Sequence, residues 1–264
     1  MPRRLLLAVC VLAVTPAFLA CGDDDGGEGS PSPGTTSASA TQSGAGGPSP
    51  TLAKPASKYS ISIDDLGQNF RTDIAGTFLL DAKTYAYEAS IGTTRVRLFA
   101  TEADGNKKLS EWGYVEGFQT GYIPEGPRGP EDAMLQGGFY ITVETHLFKD
   151  GDGAEAAYDY FENYLKTGGA QRAEAESIGN KSSTWVTVGG KIAKTNVNAM
   201  YHQLLFVRGN VLTIVFTKGA QGFMKPEIAR ALALIADQKA LGERAATEPT
   251  PTTNIQSPSA TPRQ

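Results

Sequence analysis

Two apolar runs close together near the carboxyl end, HQLLFV and VLTIVFT, flank Arg208-Gly209-Asn210, and no other feature constrains the fold as strongly. Such runs on either side of a short Gly/Asn segment predict a β-hairpin. Leu204 to Val207 is almost continuously apolar, which predicts a central strand covered on both faces. The chain must therefore build a sheet and bury it.

Upstream, Phe139, Ile141, Val143, Thr145 and Leu147 alternate with Tyr140, Thr142, Glu144, His146 and Phe148. This period of two predicts a strand with a well-buried face, ended by Lys149-Asp150-Gly151-Asp152-Gly153. The next stretch, AEAAYDYFENYLKTGG, sets Ala154, Ala157, Tyr158, Phe161 and Leu165 at helical spacing, with Asp152 near its start and Gly168 at its end. SSTWVTV and KIAKTNV flank Gly189-Gly190, where glycine would supply the positive φ of a tight hairpin turn. Lys225-Pro226 opens a last helix, with Ile228, Leu232, Ile235 and Lys239 or Ala240 on one stripe, fading by Gly242.

The first half is less regular. YSISIDDL and FRTDI fit short strands, and Asp81 fits the cap of a helix over Ala82 to Ala89. TTRVRLFA suits a strand or part of a helix equally. LSEW reads as a short helix stopped by Gly113. Tyr114 to Ile123 reads as a strand with Tyr114, Phe118 and Tyr122 on one face, sharing that face with Tyr140 and Phe148 if the Pro124–Gln136 loop returns the chain antiparallel. Strands joined by hairpins with helices interspersed predict an α+β domain, a mostly antiparallel sheet with helices packed on one side.

Outside this region the composition changes. Arg3 and Arg4 precede the apolar LLLAVCVLAVTPAFLA, too short to span a bilayer comfortably and built like an export signal. Gly22 to Ser57 is rich in Gly, Ser, Pro and Thr with an acidic cluster at Asp23-Asp24-Asp25. It lacks the periodicity that repays conformational entropy by burial. A flexible segment of about 36 residues reaches about 30–35 Å. The end of the chain, EPTPTTNIQSPSATPRQ, has the same character. The expected organisation is a signal over 1–20, a disordered tether over 21–57, one domain over 58–244 and a disordered tail over 245–264.

Phe18-Leu19-Ala20-Cys21 resembles the lipobox of bacterial lipoproteins, with Ala20 at the small-residue position and Phe18 where that family usually has Leu. The resemblance implies cleavage before Cys21 and a diacylglycerol on its sulfur, hence stable attachment to a bacterial membrane. Cleavage after Ala17 would instead release a secreted protein. The lines EWGYVEGFQTGYIP, VETHLFKDGDGAEAAYDYF and LFVRGNVLTIVF resemble a loosely defined group of bacterial lipoproteins with an extracytoplasmic α+β domain. That resemblance implies architecture and address, since the group carries no assigned reaction.

Several chemistries find no support in the residues. Loss of Arg3 and Arg4 with the signal takes the basic count from 24 to 22 against 28 acidic residues, a formal charge of −6. With no basic run, the chain offers no footprint for nucleic acid. Both cysteines, Cys10 and Cys21, lie in or beside the signal, so the domain has no disulfide or thiolate ligand. His146 and His202 are the two histidines. Neither Gly-x-Ser-x-Gly nor Ser-x-x-Lys accompanies them, and His-Glu-x-x-His is missing.

Asp150, Asp152 and Glu155 suit a helix start better than a calcium loop. The expectation is a lipid-attachment residue at Cys21, with no catalytic or metal residue and no cofactor. Its partners are the membrane and an unknown envelope ligand or protein bound without turnover. An envelope enzyme with a Glu/Asp site, or a structural assembly protein, are the alternatives.

Overall fold

A computed structural model describes residues 51–67, 69–91, 97–127, 130–136, 138–192 and 195–245. The hairpin expected at Arg208-Gly209-Asn210 is β6 (Asn198–Arg208) and β7 (Val211–Ala220), paired antiparallel from Ala199–Ala220 to Arg208–Val211. The alternating segment is β3 (Phe139–Phe148), and it lies beside β7 with Val143 opposite Val215. Tyr114–Pro124 forms β2, and Phe70–Leu80 forms β1. Gln171–Ala173 (β4) and Lys181–Lys191 (β5) complete a seven-stranded antiparallel sheet ordered β1-β2-β3-β7-β6-β5-β4. The fold is α+β, as the strand and helix patterns predict.

Helices cover both faces of this sheet rather than one. Ala82–Ile91 (α1), Glu102–Glu111 (α2) and Gly151–Thr167 (α4) bury Tyr85, Leu109, Ala157 and Tyr158 with Leu205, Val207, Leu212 and Ile214. On the opposite face Pro226–Leu241 (α5) buries Ala229, Leu232 and Ala233 with Leu204, Phe206, Val215, Val143 and Ile141. The alternation within Leu204–Val207 requires this, because successive strand side chains point to opposite faces. A short helix, Pro130–Leu135 (α3), interrupts the expected Pro124–Gln136 loop.

Local signals account for the helix ends. The Asp81 carboxylate accepts from Thr84 N–H (2.7 Å) at the start of α1, and Thr101 Oγ1 accepts from Asp104 N–H at α2. Asp150 does the same for α4 through Gly153 N–H (2.9 Å). Gly242, at φ 76°, ends α5 in the left-handed conformation.

Three expectations shift. Gly189-Gly190 is not a hairpin turn: β5 runs through it with a register shift between Val188 and Lys191, and Ile192 N–H donates to the Val197 carbonyl (2.9 Å) just before β6. A Cβ on Gly189 would lie 2.5 Å from the Tyr201 ring, so this glycine admits a cross-strand aromatic. YSISIDDL is not a strand but carries parts of two 3-10 turns, Ala56–Tyr59 and Ile63–Asp65. Of TTRVRLFA, residues 97–100 are described and belong to neither helix nor strand.

The folded body also begins before Lys58. Ala56, Tyr59 and Ile61 are buried, and Leu52 N–H donates to Asn210 Oδ1 (2.6 Å) while Asn210 Nδ2 donates to the Leu52 carbonyl. Ala56 N–H donates to Glu116 Oε1 (2.8 Å). The expected signal, Cys21 and nearly all of the expected tether and tail lie outside the described residues. Among the described residues, no helix is long and apolar enough to cross a membrane.

Candidate functional site

The even-numbered residues of β3 point toward α1 and α4, which carries Glu144 and His146 into the interior. His146 is fully buried and Glu144 is 4% exposed. His146 Nε2 stands 3.3 Å from Glu144 Oε2, and its Nδ1 stands 3.4 Å from Tyr114 Oη. The Tyr114 hydroxyl donates to the Leu80 carbonyl (2.9 Å). Tyr85 of α1 stacks on the imidazole with centroids 4.5 Å apart, and Phe161 of α4 lies 6.4 Å away.

Two features of β2 make this cluster possible. A register shift between Tyr114 and Glu116 turns Tyr114 to the α1 face, while Phe118 and Tyr122 stay on the opposite face. The expected common face of Tyr114, Phe118 and Tyr122 is therefore split, because a bulge adds one residue to a period of two. Tyr140 and Phe148 share the α1 side of the sheet with Tyr114 alone among the three. Gly117 supplies the space: a Cβ there would lie 2.4 Å from Tyr114 Oη and 2.7 Å from His146 Nδ1.

A carboxylate, an imidazole and a phenol in this order can pass a proton. Here they are enclosed by helices. Burial pushes the Tyr114 phenol well above its usual value, and the charges of Glu144, Glu116 and Asp81 push it the same way.

His202 lies on the other face of the sheet, so the two histidines belong to different environments. It is 2% exposed, and among the described residues its Nδ1 has no hydrogen-bond partner; nor has the hydroxyl of Thr217, its cross-strand neighbour. Burial lowers its pKa, opposed by the carboxylate of Glu227. Trp112, Trp185, Phe99 and Phe148 fill the core beneath α1, α2 and α4, so these aromatics are core rather than a pocket lining. Asp150 and Asp152 serve the start of α4, the plainer of their two readings. Among the described residues no group of three or more His, Cys, Asp or Glu is arranged to hold a metal ion.

A concave surface occurs at the β4 edge. The β4–β5 pairing stops at Ala173–Thr184, and the two chains then diverge around an open groove of about 400 Å³. Arg172, Glu174 and Ala175 form one wall, and Ser182, Ser183 and Thr184 the other. Arg172 is largely exposed, 3.8 Å from Glu162. Ser183 Oγ accepts from the Trp185 indole (2.9 Å), and Ser182 Oγ accepts from Ile178 N–H (2.9 Å). The i, i+2 spacing in a strand already sets Glu144 and His146 on one face, but their enclosure by helices, like the divergence of β4 and β5 that opens the groove, is a tertiary property.

No family model and no curated protein matches this chain. Among solved structures, the extracellular domain of PknH from Mycobacterium tuberculosis aligns with a TM-score of 0.41 at 11% sequence identity, over 74% of this chain and 100% of that one.

Proposed function

We propose that this chain is an exported lipoprotein, held on a bacterial membrane by a lipid on Cys21, whose extracytoplasmic domain binds an envelope ligand or protein without turning it over. The groove between β4 and β5 carries the binding part of this reading: it is concave, and Arg172 and Glu174 bring charges of both signs to its wall. The Glu144–His146 pair, 3.3 Å apart, faces the helical layer and is enclosed. The lipid part rests on the lipobox-like Phe18–Cys21 and on the polar composition that follows it.

Two measurements test it. Intact mass and detergent partitioning of wild type against Cys21→Ser are expected to show a lipid on the wild type alone. An unmodified wild-type cysteine overturns the anchor. For binding, a screen of envelope saccharides, lipids and peptides by thermal shift should yield a ligand whose effect falls at least tenfold in Arg172→Ala/Glu174→Ala. Turnover of a compound in a hydrolase panel would overturn the non-enzymatic reading.

A further inference from the structure

Charge is distributed unevenly along this chain. Ser177 to Pro226 is a run of 50 residues without Asp or Glu, where the chain's average would place about five. The run builds β5, β6, β7 and the turns that join them. Within it Lys181 pairs with Asp159 and Arg208 with Asp237, which leaves Lys191, Lys218 and Lys225 with no carboxylate partner among the described residues. These three belong to the end of the sheet where β5 stops, β6 starts and β7 stops. Lys191 is opposite Asn198, whose Nδ2 donates to Gln221 Oε1 (3.2 Å), and Lys218 Nζ stands 5.3 Å over the Tyr201 ring. Between Lys218 and Lys225 in sequence, Phe223 is 65% exposed, the most of any large apolar side chain described, and Val197 across from it is 38% exposed. The turn that carries Phe223 is braced: Gln221 N–H donates to the Asn198 carbonyl (2.8 Å), Phe223 N–H donates to the Ala220 carbonyl (3.1 Å), and Gly222 takes a φ of 97°. Of the carboxylates outside the run, Glu227 acts on His202, and Asp132 of α3 has a partner of its own.

We propose, resting on the membrane-attachment reading above, that this end of the sheet docks on an anionic phospholipid surface, with Phe223 and Val197 entering the interface and Lys191, Lys218 and Lys225 on the headgroups. An apolar side chain flanked by lysines suits a bilayer boundary, where the ring leaves water while the ammoniums stay among the phosphates. Near an anionic surface each lysine raises binding about fivefold. Burying the phenylalanine adds tenfold or more. Such a contact is weak for a free protein and sufficient for one already tethered beside the surface, because the tether makes the second contact intramolecular. The geometry permits it. The described chain begins at the opposite end of the sheet, where Leu52 bonds Asn210, and the 11 residues of β6 separate the two ends by about 35 Å. A Gly/Ser-rich segment of about 30 residues, the length from Cys21 to Leu52, has a mean reach of about 30 Å, so an anchor at Cys21 allows the far end to come down onto the same membrane.

The test couples the mature chain, from Cys21 onward, through its single thiol to a maleimide lipid, so that attachment is imposed whether or not the cell lipidates this residue. Phe223→Trp adds a reporter at the tip, and Trp112 and Trp185 are buried, so the emission added over wild type belongs to position 223. The vesicles are brominated phosphatidylcholine, with or without phosphatidylglycerol. Docking predicts that bromine quenches the added emission at least twofold more when phosphatidylglycerol is present. High salt, or Lys191→Glu/Lys225→Glu in the same background, should remove that difference, with circular dichroism confirming that the variant is folded. Equal quenching in the two kinds of vesicle overturns the proposal, as does a difference that survives the charge reversal. The two readings fail separately: an unmodified Cys21 in the native protein removes the lipid anchor and not the docking surface, whereas an unquenched tip removes the docking surface and not the anchor.

Discussion

Lys239 Nζ lies 2.5 Å from Asp65 Oδ2 across 174 residues of sequence, and both side chains are buried. The ammonium also donates to the Ser60 carbonyl (3.0 Å), and Asp65 Oδ1 accepts from Arg244 Nε (2.8 Å). The pair fastens the amino-terminal turns to α5. Removing one member of a buried pair strands the other's charge, at a cost of about 3–5 kcal/mol. Lys239→Met should lower the urea unfolding free energy toward the lower end of that range, because Arg244 still reaches Asp65. Adding Asp65→Asn should recover at least about 1 kcal/mol, as a double-mutant cycle would read. Additive losses would show that the two charges do not interact.

The same carboxylate sets an acid dependence. Burial by itself would raise the Asp65 pKa, but hydrogen bonds from Lys239 and Ser62 outweigh it and the net shift is downward. A depressed carboxyl contributes stability that is present above its unfolded pKa of about 3.9 and is lost as pH falls through the folded value. Asp65→Asn should flatten the stability profile below about pH 4. Denaturant midpoints between pH 3 and 6 measure this.

His202 acts in a higher window. Its pKa is lowered by burial, so the folded state prefers the neutral ring, and stability falls as pH drops below the unfolded value of about 6.5. The slope is at most about 1.4 kcal/mol per pH unit. In His202→Phe that slope between pH 7.5 and 5.5 should disappear. An unchanged slope in the variant would place the titration elsewhere.

Gly117→Ala should destabilise the protein by about 1–3 kcal/mol, the range for forcing atoms into a filled core. The added Cβ would collide with Tyr114 Oη and His146 Nδ1 at once. Near-ultraviolet circular dichroism should report the altered tyrosine environment along with the loss. A wild-type melting temperature would contradict the packing described.

Thr217→Val should stabilise by about 0.5–1 kcal/mol. The hydroxyl is fully buried without a hydrogen-bond partner among the described residues, and a buried polar group left unpaired is unfavourable against a methyl of similar size. Chemical denaturation decides it, and a loss above about 1 kcal/mol would mean that the hydroxyl has a partner, such as bound water.

Local patterns were readable where one physical cause dominated. The β3 alternation, the β6–β7 turn, and the starts of α1, α4 and α5 each rest on periodicity or a capping residue within a few positions. The sequence reading of Leu204–Val207 as covered on both faces already implied the second helical layer, although the overall pattern suggested one. Gly189 misled because a glycine that admits Tyr201 looks, in sequence, like a glycine that turns the chain. Tyr114 misled because a single bulge reverses the face of every residue beyond it. The Asp65–Lys239 pair left a trace, a lysine on the apolar stripe of α5, but its partner is set by tertiary packing. The groove left none.

The neighbours β3 and β7 have a kinetic consequence. Within β1-β2-β3 and within β4-β5-β6-β7 every strand pairs with its neighbour in sequence, whereas the contacts joining the two meanders run from Leu147–Val211 to Phe139–Gly219. Those partners are 64 and 80 residues apart in the chain. Loop closure must be met before such contacts repay it, so the seam governs the folding rate while each meander can form locally. α4 spans that seam, touching β3, β7 and β6, and α3 touches both β3 and β7, so helices hold the two meanders together across it.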